Sequence, residues 1–149
     1  MSRKFLNGLA TTALQVGTAT TAGYVLTGDA SGNASFQIIT TSAPRTVTAV
    51  SNAAPTPNTD VTDEFDLTAQ AATAAFANPT GTPLNGQKLL IRIKDNGTAQ
   101  AITWGTLYIS SGAGTLLTTT IATKTHMSGF IYNSASVKWV AMAVDATGY

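Results

Sequence analysis

The stretch from Asn78 to Trp104 constrains the fold of this chain more than any other part of the sequence. Pro79 and Pro83 are incompatible with a helix interior, and Asn85-Gly86 supplies a turn. Beyond that turn an apolar set alternates with a mostly cationic set: Leu89, Ile91 and Ile93 against Leu90, Arg92 and Lys94. This period of two predicts a strand with one buried face. Asp95-Asn96-Gly97 then predicts a hairpin whose partner strand runs over residues 98–104.

Charge and composition limit what the chain can bind. Charged residues are 10% of the 149, against roughly 25% in a typical soluble domain, and Thr and Ala supply about a third of the chain. The net charge is +1 and no basic run exceeds Arg3-Lys4, so nucleic-acid binding is not expected. A surface of short uncharged side chains loses little solvation when it packs against copies of itself, which indicates self-association.

Disulfides and membrane segments are not expected. The chain has no cysteine, so packing or assembly must stabilise it without disulfides or thiolate metal sites. No apolar run approaches the roughly 20 residues that span a bilayer. Asn7 and Gly8 also interrupt any signal-peptide core.

Residues 1–44 differ in composition from the rest of the chain. They are rich in Thr, Ala and Gly, contain few large apolar residues and have no sustained helical period, which predicts an extended N-terminal arm with short strands. The candidate docking residues of this arm lie near its start: Arg3, Lys4, Phe5, Leu6 and Leu9. Two alternatives remain open for them, a pocket on another protein and a contact with this protein's own subunits.

A pair of short strands is expected within the arm. Residues 24–26 and 36–39 are apolar and flank a Gly-rich loop. Residues 28–33 carry the opening spacing of a calcium-binding loop, but Ala34 and Thr40 stand where that loop needs Gly and a bidentate Glu. The sequence therefore predicts a turn between strands and no calcium site.

Residues 45–149 are predicted to form an all-β body, a β-sandwich or jelly-roll-like domain, because short strand patterns recur between Gly, Pro and Asn turns. The predicted strands outside the central stretch are 45–51, 61–67, 69–77, 107–109, 127–132 and 137–144. Segment 69–77 is rich in alanine, yet a strand is favoured over a helix in this context. Segment 137–144 is apolar on both faces, which predicts a strand covered on both sides.

Catalysis and cofactor binding are not expected. A single histidine, no cysteine and few carboxylates leave no set of nucleophile, base and orienting group. We expect His126 to be an ordinary surface or interface histidine. An acidic cluster offers oxygen ligands for a hard cation, although a solvated strand face is the favoured interpretation. Its members are Asp60, Asp63, Glu64 and Asp66.

The candidate exposed binding face consists of Arg92, Lys94, Trp104 and Tyr108. The two cations could contact an acidic partner, but basic residues on a strand more often protect an exposed sheet edge, and that interpretation is favoured. The aromatic rings, including Tyr132, could stack on sugars. For the remaining aromatic of this set, Trp139, packing in the core or an interface is favoured.

Three pieces of the sequence carry a family resemblance. They are Arg3–Leu9 with Gly23–Phe36, Asn78–Trp104, and Gly129–Asn133 with Lys138-Trp139. Together these pieces resemble tailed-bacteriophage virion proteins: the first is similar to the N-termini and linkers of fibre and appendage proteins, and the others to a small β domain of phage structural proteins. The resemblance implies a non-enzymatic virion component, made in the host cytoplasm, usually a homotrimer, attached by its N-terminus.

Two functions follow as expectations. The first is a capsid decoration (cement) or head-fibre protein, whose arm docks on virion proteins such as the major capsid protein. The alternative is a short tail fibre or adhesin that binds host-surface glycan. Tail fibres normally contain long repetitive shafts, whereas here the arm runs straight into one domain, which favours the first function.

Overall fold

The computed structural model describes residues 43–112 and 114–149, together with the backbone of four strands before them. These are β1 (Arg3–Phe5), β2 (Leu9–Thr11), β3 (Tyr24–Gly28) and β4 (Ala34–Ile38). The chain divides into two units, Met1–Ser42 and Ala43–Tyr149, called here the N-terminal unit and the body.

The N-terminal unit contains two antiparallel strand pairs, β1 with β2 and β3 with β4. The second pair confirms the strands predicted on either side of the Gly-rich loop, with Leu26 opposite Phe36. The pairing of Arg3–Phe5 with Leu9–Thr11 was not expected from the sequence. The turn predicted between β3 and β4 lies outside the described residues.

The body contains eight strands and, within the described residues, no helix. They are β5 (Thr46–Ala49), β6 (Glu64–Gln70), β7 (Ala74–Phe76), β8 (Lys88–Asp95), β9 (Ile102–Trp104), β10 (Tyr108–Ile109), β11 (Thr125–Asn133) and β12 (Lys138–Val144). Six form a mixed sheet in the order β10-β12-β11-β8-β6-β5, and β7 pairs with β9 in a second sheet. The predicted all-β class is confirmed at this level.

Strand β8 is the strand that the alternating pattern predicted. Leu89, Ile91 and Ile93 are at most 1% exposed. The predicted hairpin partner is wrong, because β8 pairs with β6 in parallel and with β11 antiparallel, while β9 pairs with β7. The reason lies at the turn: Asn96 donates its backbone N–H to Gln70 O at 3.1 Å, and Gly97 has a φ of 100°. The chain therefore leaves the first sheet for the second layer.

The chain winds three times between the two layers in the first half of the body, and each turn of this winding, called here a coil, lies against the next. Strands β5, β6 and β8 run parallel, and each is followed by a segment of the second layer: residues 53–57, β7 and β9. Ala75 donates to Ala53 O and Ala77 to Pro55 O, both at 2.9 Å, so the first of these segments lies beside β7. Where the chain passes from the first sheet into the second layer, the buried Gln70 side chain accepts a hydrogen bond from Asn52 N at 2.8 Å and donates one to Asn52 O at 2.9 Å.

Aromatic side chains join the two layers. Phe76 of β7 packs edge-on against Phe65 of β6, with ring centroids 6.2 Å apart, and stacks on Trp104 at 4.7 Å. The ring centroid of Trp104 lies 5.5 Å from that of Phe130 of β11. Trp139 is 1% exposed, which confirms its predicted place in the core. These contacts remove most of the aromatic surface of the body from water.

The C-terminal hairpin is confirmed, with β11 antiparallel to β12 and Ile131 opposite Val140. The prediction that its last strand is covered on both sides is wrong within the described residues. Trp139 and Ala141 are buried, but Val140 is only half-buried and Met142 is 41% exposed. Within the body, no other layer of strands lies over the outward side of this strand. Segment 69–77 is confirmed as strand, shared between the end of β6 and β7.

Candidate functional site

Three of the four carboxylates in the acidic cluster pair with two arginines. Asp63 accepts hydrogen bonds from the Nε and the backbone N–H of Arg45, both at 2.9 Å. The side-chain hydrogen bond, followed by the backbone one, lowers the pKa of Asp63 to about 2. Asp60 instead accepts from the N–H of Thr82 at 2.7 Å and from its hydroxyl at 3.0 Å. Across the part of the chain that the structure describes, no three potential metal ligands come together.

The other two carboxylates hold Arg92 on the outward face of β8. Arg92 pairs with Glu64 and, at 3.4 Å, with Asp66. Burial, reinforced by the Glu64 charge, raises the pKa of Asp66. The edge-protection interpretation is wrong, because β8 lies between β6 and β11. Lys94, two residues along on the same face, is exposed and makes no ion pair with a described residue.

Trp104 and Tyr108 do not share this face. Tyr108 is 4% exposed, and its ring lies 5.1 Å from both Trp104 and Phe130. Burial raises the pKa of its hydroxyl. Trp104 is partly buried and donates its indole N–H to Leu117 O at 2.7 Å. The expected exposed face is therefore corrected, since its aromatic half belongs to the core.

His126 is fully buried, which corrects the expectation of a surface or interface residue. Its Nε2 accepts the N–H of Ile121 at 2.8 Å, and its Nδ1 lies 3.1 Å from Asp145 O. These partners match a neutral ring with the proton on Nδ1. Both nitrogens are engaged with the backbone, so the ring is not free to activate a hydroxyl.

Asp95 fixes the same region from the neighbouring strand. Its carboxylate accepts the hydroxyl of Thr120 at 2.8 Å and the N–H groups of Thr123 and Gly97, both at 2.9 Å. Burial acts to raise the pKa of Asp95, but these hydrogen bonds lower it overall. The segment between β10 and β11 is thus tied down by buried polar groups.

Two adjoining grooves meet at the Asn85-Gly86 turn. One, of about 520 Å³, extends towards Arg45 and Asp60, and the other, of about 440 Å³, extends along residues 131–135. Gly86 donates to Tyr132 O at 2.9 Å, and Tyr132 donates back to Gln87 O at 2.8 Å. This pairing brings the start of β8 and the end of β11 to one place.

The groove rim carries exposed side-chain amides, and Tyr132 lies beside them. Tyr132 is half-buried, with its ring centroid 5.2 Å from that of Trp139. Asn85 and Asn133 are exposed, and Leu84 is 77% exposed. Tyr132 lines the second groove, but it lies opposite Trp139 and packs against the core, on the other side of the sheet from Ile131 and Val140.

For the docking residues predicted in the arm, the structure describes only the strands to which they belong. Arg3, Lys4 and Phe5 form β1, and Leu9 begins β2. Leu6 lies outside the described residues.

No family model matches this chain, and no curated protein or solved structure gives a significant match. Within the described residues, no helix is both long and apolar enough to cross a membrane.

The groove residues were missed as a site by sequence reasoning. Asn85 was recognised only as part of a turn and Asn133 only as part of a strand end, and Tyr132 was considered for sugar stacking without being joined to either of them. The signal that could have joined them is the antiparallel pairing of β8 with β11, because such a pairing sets the start of one strand beside the end of the other.

Proposed function

We propose that this chain is a non-enzymatic structural protein of a bacteriophage virion, most simply a capsid decoration or head-fibre protein. Its N-terminal unit docks on a virion protein such as the major capsid protein, and its body forms a β-sandwich knob on the particle surface. The observation that carries the proposal is the division into Met1–Ser42 and a separately packed body, combined with the resemblance of both parts to phage proteins.

The outward face of the sheet supports self-association of the body as a homotrimer. Leu90, Ile131 and Val140 are half-buried there, Met142 is 41% exposed, and Gly129 keeps the centre flat. An apolar patch bordered by charges is typical of a protein contact surface. Mass measurement of the purified chain in solution tests this part, and a monomer at micromolar concentration would contradict it.

Location on the particle is tested by cryo-electron microscopy of the virion. We expect density for the body at repeated symmetric positions on the head, and density confined to the tail would refute the decoration function. Deletion of residues 1–35 should abolish incorporation into particles, measured as copies per virion by mass spectrometry. A deletion protein that is folded and still incorporated would show that docking does not depend on the arm.

The second candidate function is a short tail fibre or adhesin that binds host-surface glycan. The groove beside Asn85 and Asn133 favours it, because exposed side-chain amides can bond the hydroxyl groups of a sugar. Adhesion of the purified protein to host cells tests this function, and absence of adhesion at micromolar protein counts against it.

A further inference from the structure

We propose that residues 117–124, called here the latch, open in mildly acidic solution when His126 takes up a proton, and that this opening frees one edge of β9. The latch lies between β10 and β11 in the chain and is exposed over most of its length. Hydrogen bonds hold it to both sheets of the body. One of these bonds depends on the protonation state of a buried ring.

The latch covers the edge of β9 that β7 leaves open. Strand β9 pairs with β7 as its one neighbour in the second sheet. On the other side, Ile102 of β9 donates its backbone N–H to Thr118 O at 2.8 Å, and Thr120 donates to Gln100 O at 3.0 Å. The backbone groups of this edge are therefore satisfied by the latch.

Three polar bonds join the latch to the main sheet. Ile121 donates its N–H to His126 Nε2 at 2.8 Å, and Thr123 donates to Asp95 Oδ1 at 2.9 Å. The hydroxyl of Thr120 donates to Asp95 Oδ2 at 2.8 Å. Asp95 has a lowered pKa and stays a carboxylate at pH 5, so its two bonds persist there. Of the three, the bond to His126 is the one that mild acid can break, because histidine ordinarily changes its charge between about pH 5 and 8.

Protonation reverses the role of His126 Nε2. In the neutral ring the proton lies on Nδ1, 3.1 Å from Asp145 O, and Nε2 accepts from Ile121. A second proton turns Nε2 into a donor, which then faces the donor N–H of Ile121 across 2.8 Å. The closed latch therefore needs the neutral ring, whereas the open latch allows either form. By linkage, the open fraction rises as pH falls through the range in which histidine gains its proton.

The charges around the ring favour its protonated form. Asp95 at the end of β8 and Asp145 after β12 both interact electrostatically with His126, and both carboxylates attract a positive ring. Lys124, which precedes β11, is exposed, so water and salt screen its charge. The carboxylates thus favour the charged ring, while the Ile121 bond favours the neutral one. Opening the latch removes this conflict.

The latch gives way more easily than the C-terminal turn that packs on the other part of the ring. A Cβ on Gly148 would lie 3.0 Å from His126 Cε1, so the ring has no room to move towards that turn. The turn is also held to β11, since Asp145 donates its N–H to Met127 O at 2.8 Å. Within the latch, Thr123 has a φ of 71°, a left-handed conformation that β-branched residues avoid. Such strain is found at switch segments, and opening releases it.

Opening exposes a strand edge and an aromatic side chain together. Leu117 is 5% exposed in the closed form, and its carbonyl accepts the indole N–H of Trp104 at 2.7 Å. Without the latch, this indole N–H and the backbone N–H of Ile102 lose their partners. A free strand edge is a surface on which another extended segment can pair. The device therefore links acid to the exposure of a pairing surface.

Amide hydrogen exchange of the ¹⁵N-labelled full-length chain tests the proposal. Protection factors, which correct for the pH dependence of chemical exchange, are compared at pH 7.5 and 5.5. We expect the amides of Ile121, Thr123 and Ile102 to lose about tenfold protection or more at the lower pH. The amide of Leu90, bonded to Asp63 O at 2.9 Å in the main sheet, should keep its protection. Equal protection of the latch at both pH values, or a parallel loss at Leu90, would overturn the proposal.

The ring itself provides the second measurement. His126 is the single histidine of the chain, so the ¹⁵N shifts of its imidazole nitrogens report its protonation without ambiguity. Protonation and the loss of Ile121 protection should share one midpoint. A ring that stays neutral while the latch opens, or one that becomes charged while the latch stays closed, would refute the mechanism.

His126→Gln separates protonation from other effects of acid. The glutamine oxygen can accept the N–H of Ile121, and the side chain does not titrate. The comparison is made between two pH values within the variant, so a general loss of stability does not affect it. Latch protection in His126→Gln should be the same at pH 7.5 and 5.5. A tenfold loss in this variant, equal to that of the wild type, would show that another group drives the opening.

Discussion

Replacement of Arg92 by methionine should destabilise the body through the two carboxylates that it leaves behind. Arg92 bridges Glu64 and Asp66, whose side chains are 17% and 14% exposed. Methionine keeps most of the apolar stem, so the change isolates the charge. Without the guanidinium, two like charges on one strand face would be partly desolvated and unpaired.

The expected loss of unfolding free energy lies between the loss for a surface ion pair and the loss for a buried one. Exposed pairs contribute up to about 1 kcal/mol, and breaking a buried pair costs roughly 3–5 kcal/mol. Because the Arg92 side chain is 38% exposed, we expect about 2 kcal/mol, or a melting temperature lower by about 8 °C. Lys94→Met, on the same face but without an ion pair among the described residues, should change stability by less than about 0.5 kcal/mol.

The loss of stability in Arg92→Met should depend on pH in a defined direction. The pKa of Asp66 is raised in the folded protein, and Arg92 acts to lower it, so losing Arg92 raises it further. A raised carboxyl pKa means that stability is greatest below the unfolded value near 4 and falls as pH rises through the folded pKa. The gap between Arg92→Met and wild type should therefore be largest at pH 7 and shrink towards pH 4. Urea unfolding at both pH values measures it, and a constant gap, or equal losses for Arg92→Met and Lys94→Met, would refute the reasoning.

Three further substitutions test other features by thermal and urea unfolding. Val137→Asn should stabilise the body by about 1 kcal/mol, because asparagine tolerates the left-handed φ; no gain would argue against strain there. His126→Phe should cost about 2–4 kcal/mol by orphaning Ile121 N–H and Asp145 O, and a change below about 0.5 kcal/mol would contradict that. Asp95→Asn should cost about 1–2 kcal/mol at pH 7. The pKa of Asp95 is lowered in the folded protein, so the difference in unfolding free energy between Asp95→Asn and wild type should close as pH falls below about 4. A difference that persists at pH 3 would contradict this reasoning.

Local strand signals in the sequence were sufficient to find most strands of the body but not to pair them. The alternation around Ile91 and the C-terminal hairpin that contains Trp139 follow from side-chain period and turn chemistry, which act over a few residues. The partner of β8 was misassigned because Asn96-Gly97 can either reverse a strand within its sheet or carry it into the other layer. That choice depends on Gln70, whose carbonyl accepts Asn96 N–H from another coil. Contacts between residues this far apart in the chain leave no periodic pattern in the sequence.

The chemistry of single residues was harder to predict than the strands. His126 was expected at the surface, and its burial depends on the backbone of Ile121 and Asp145, which only the fold brings to it. Tyr108 reads as a candidate stacking residue, yet Phe130 covers it from a strand that follows much later in the chain. The groove at Asn85 and Tyr132 likewise exists only once β8 and β11 pair.

The placement of β12 has a consequence for folding during synthesis. Strand β12 lies between β10 and β11, so Tyr108 has no sheet neighbour until Trp139 arrives beside it. The coils of the first half can stack before β12 has been synthesised, but the sheet is completed only when β12 inserts between β10 and β11. Truncation before Lys138 should therefore leave a chain that collapses without completing its sheet.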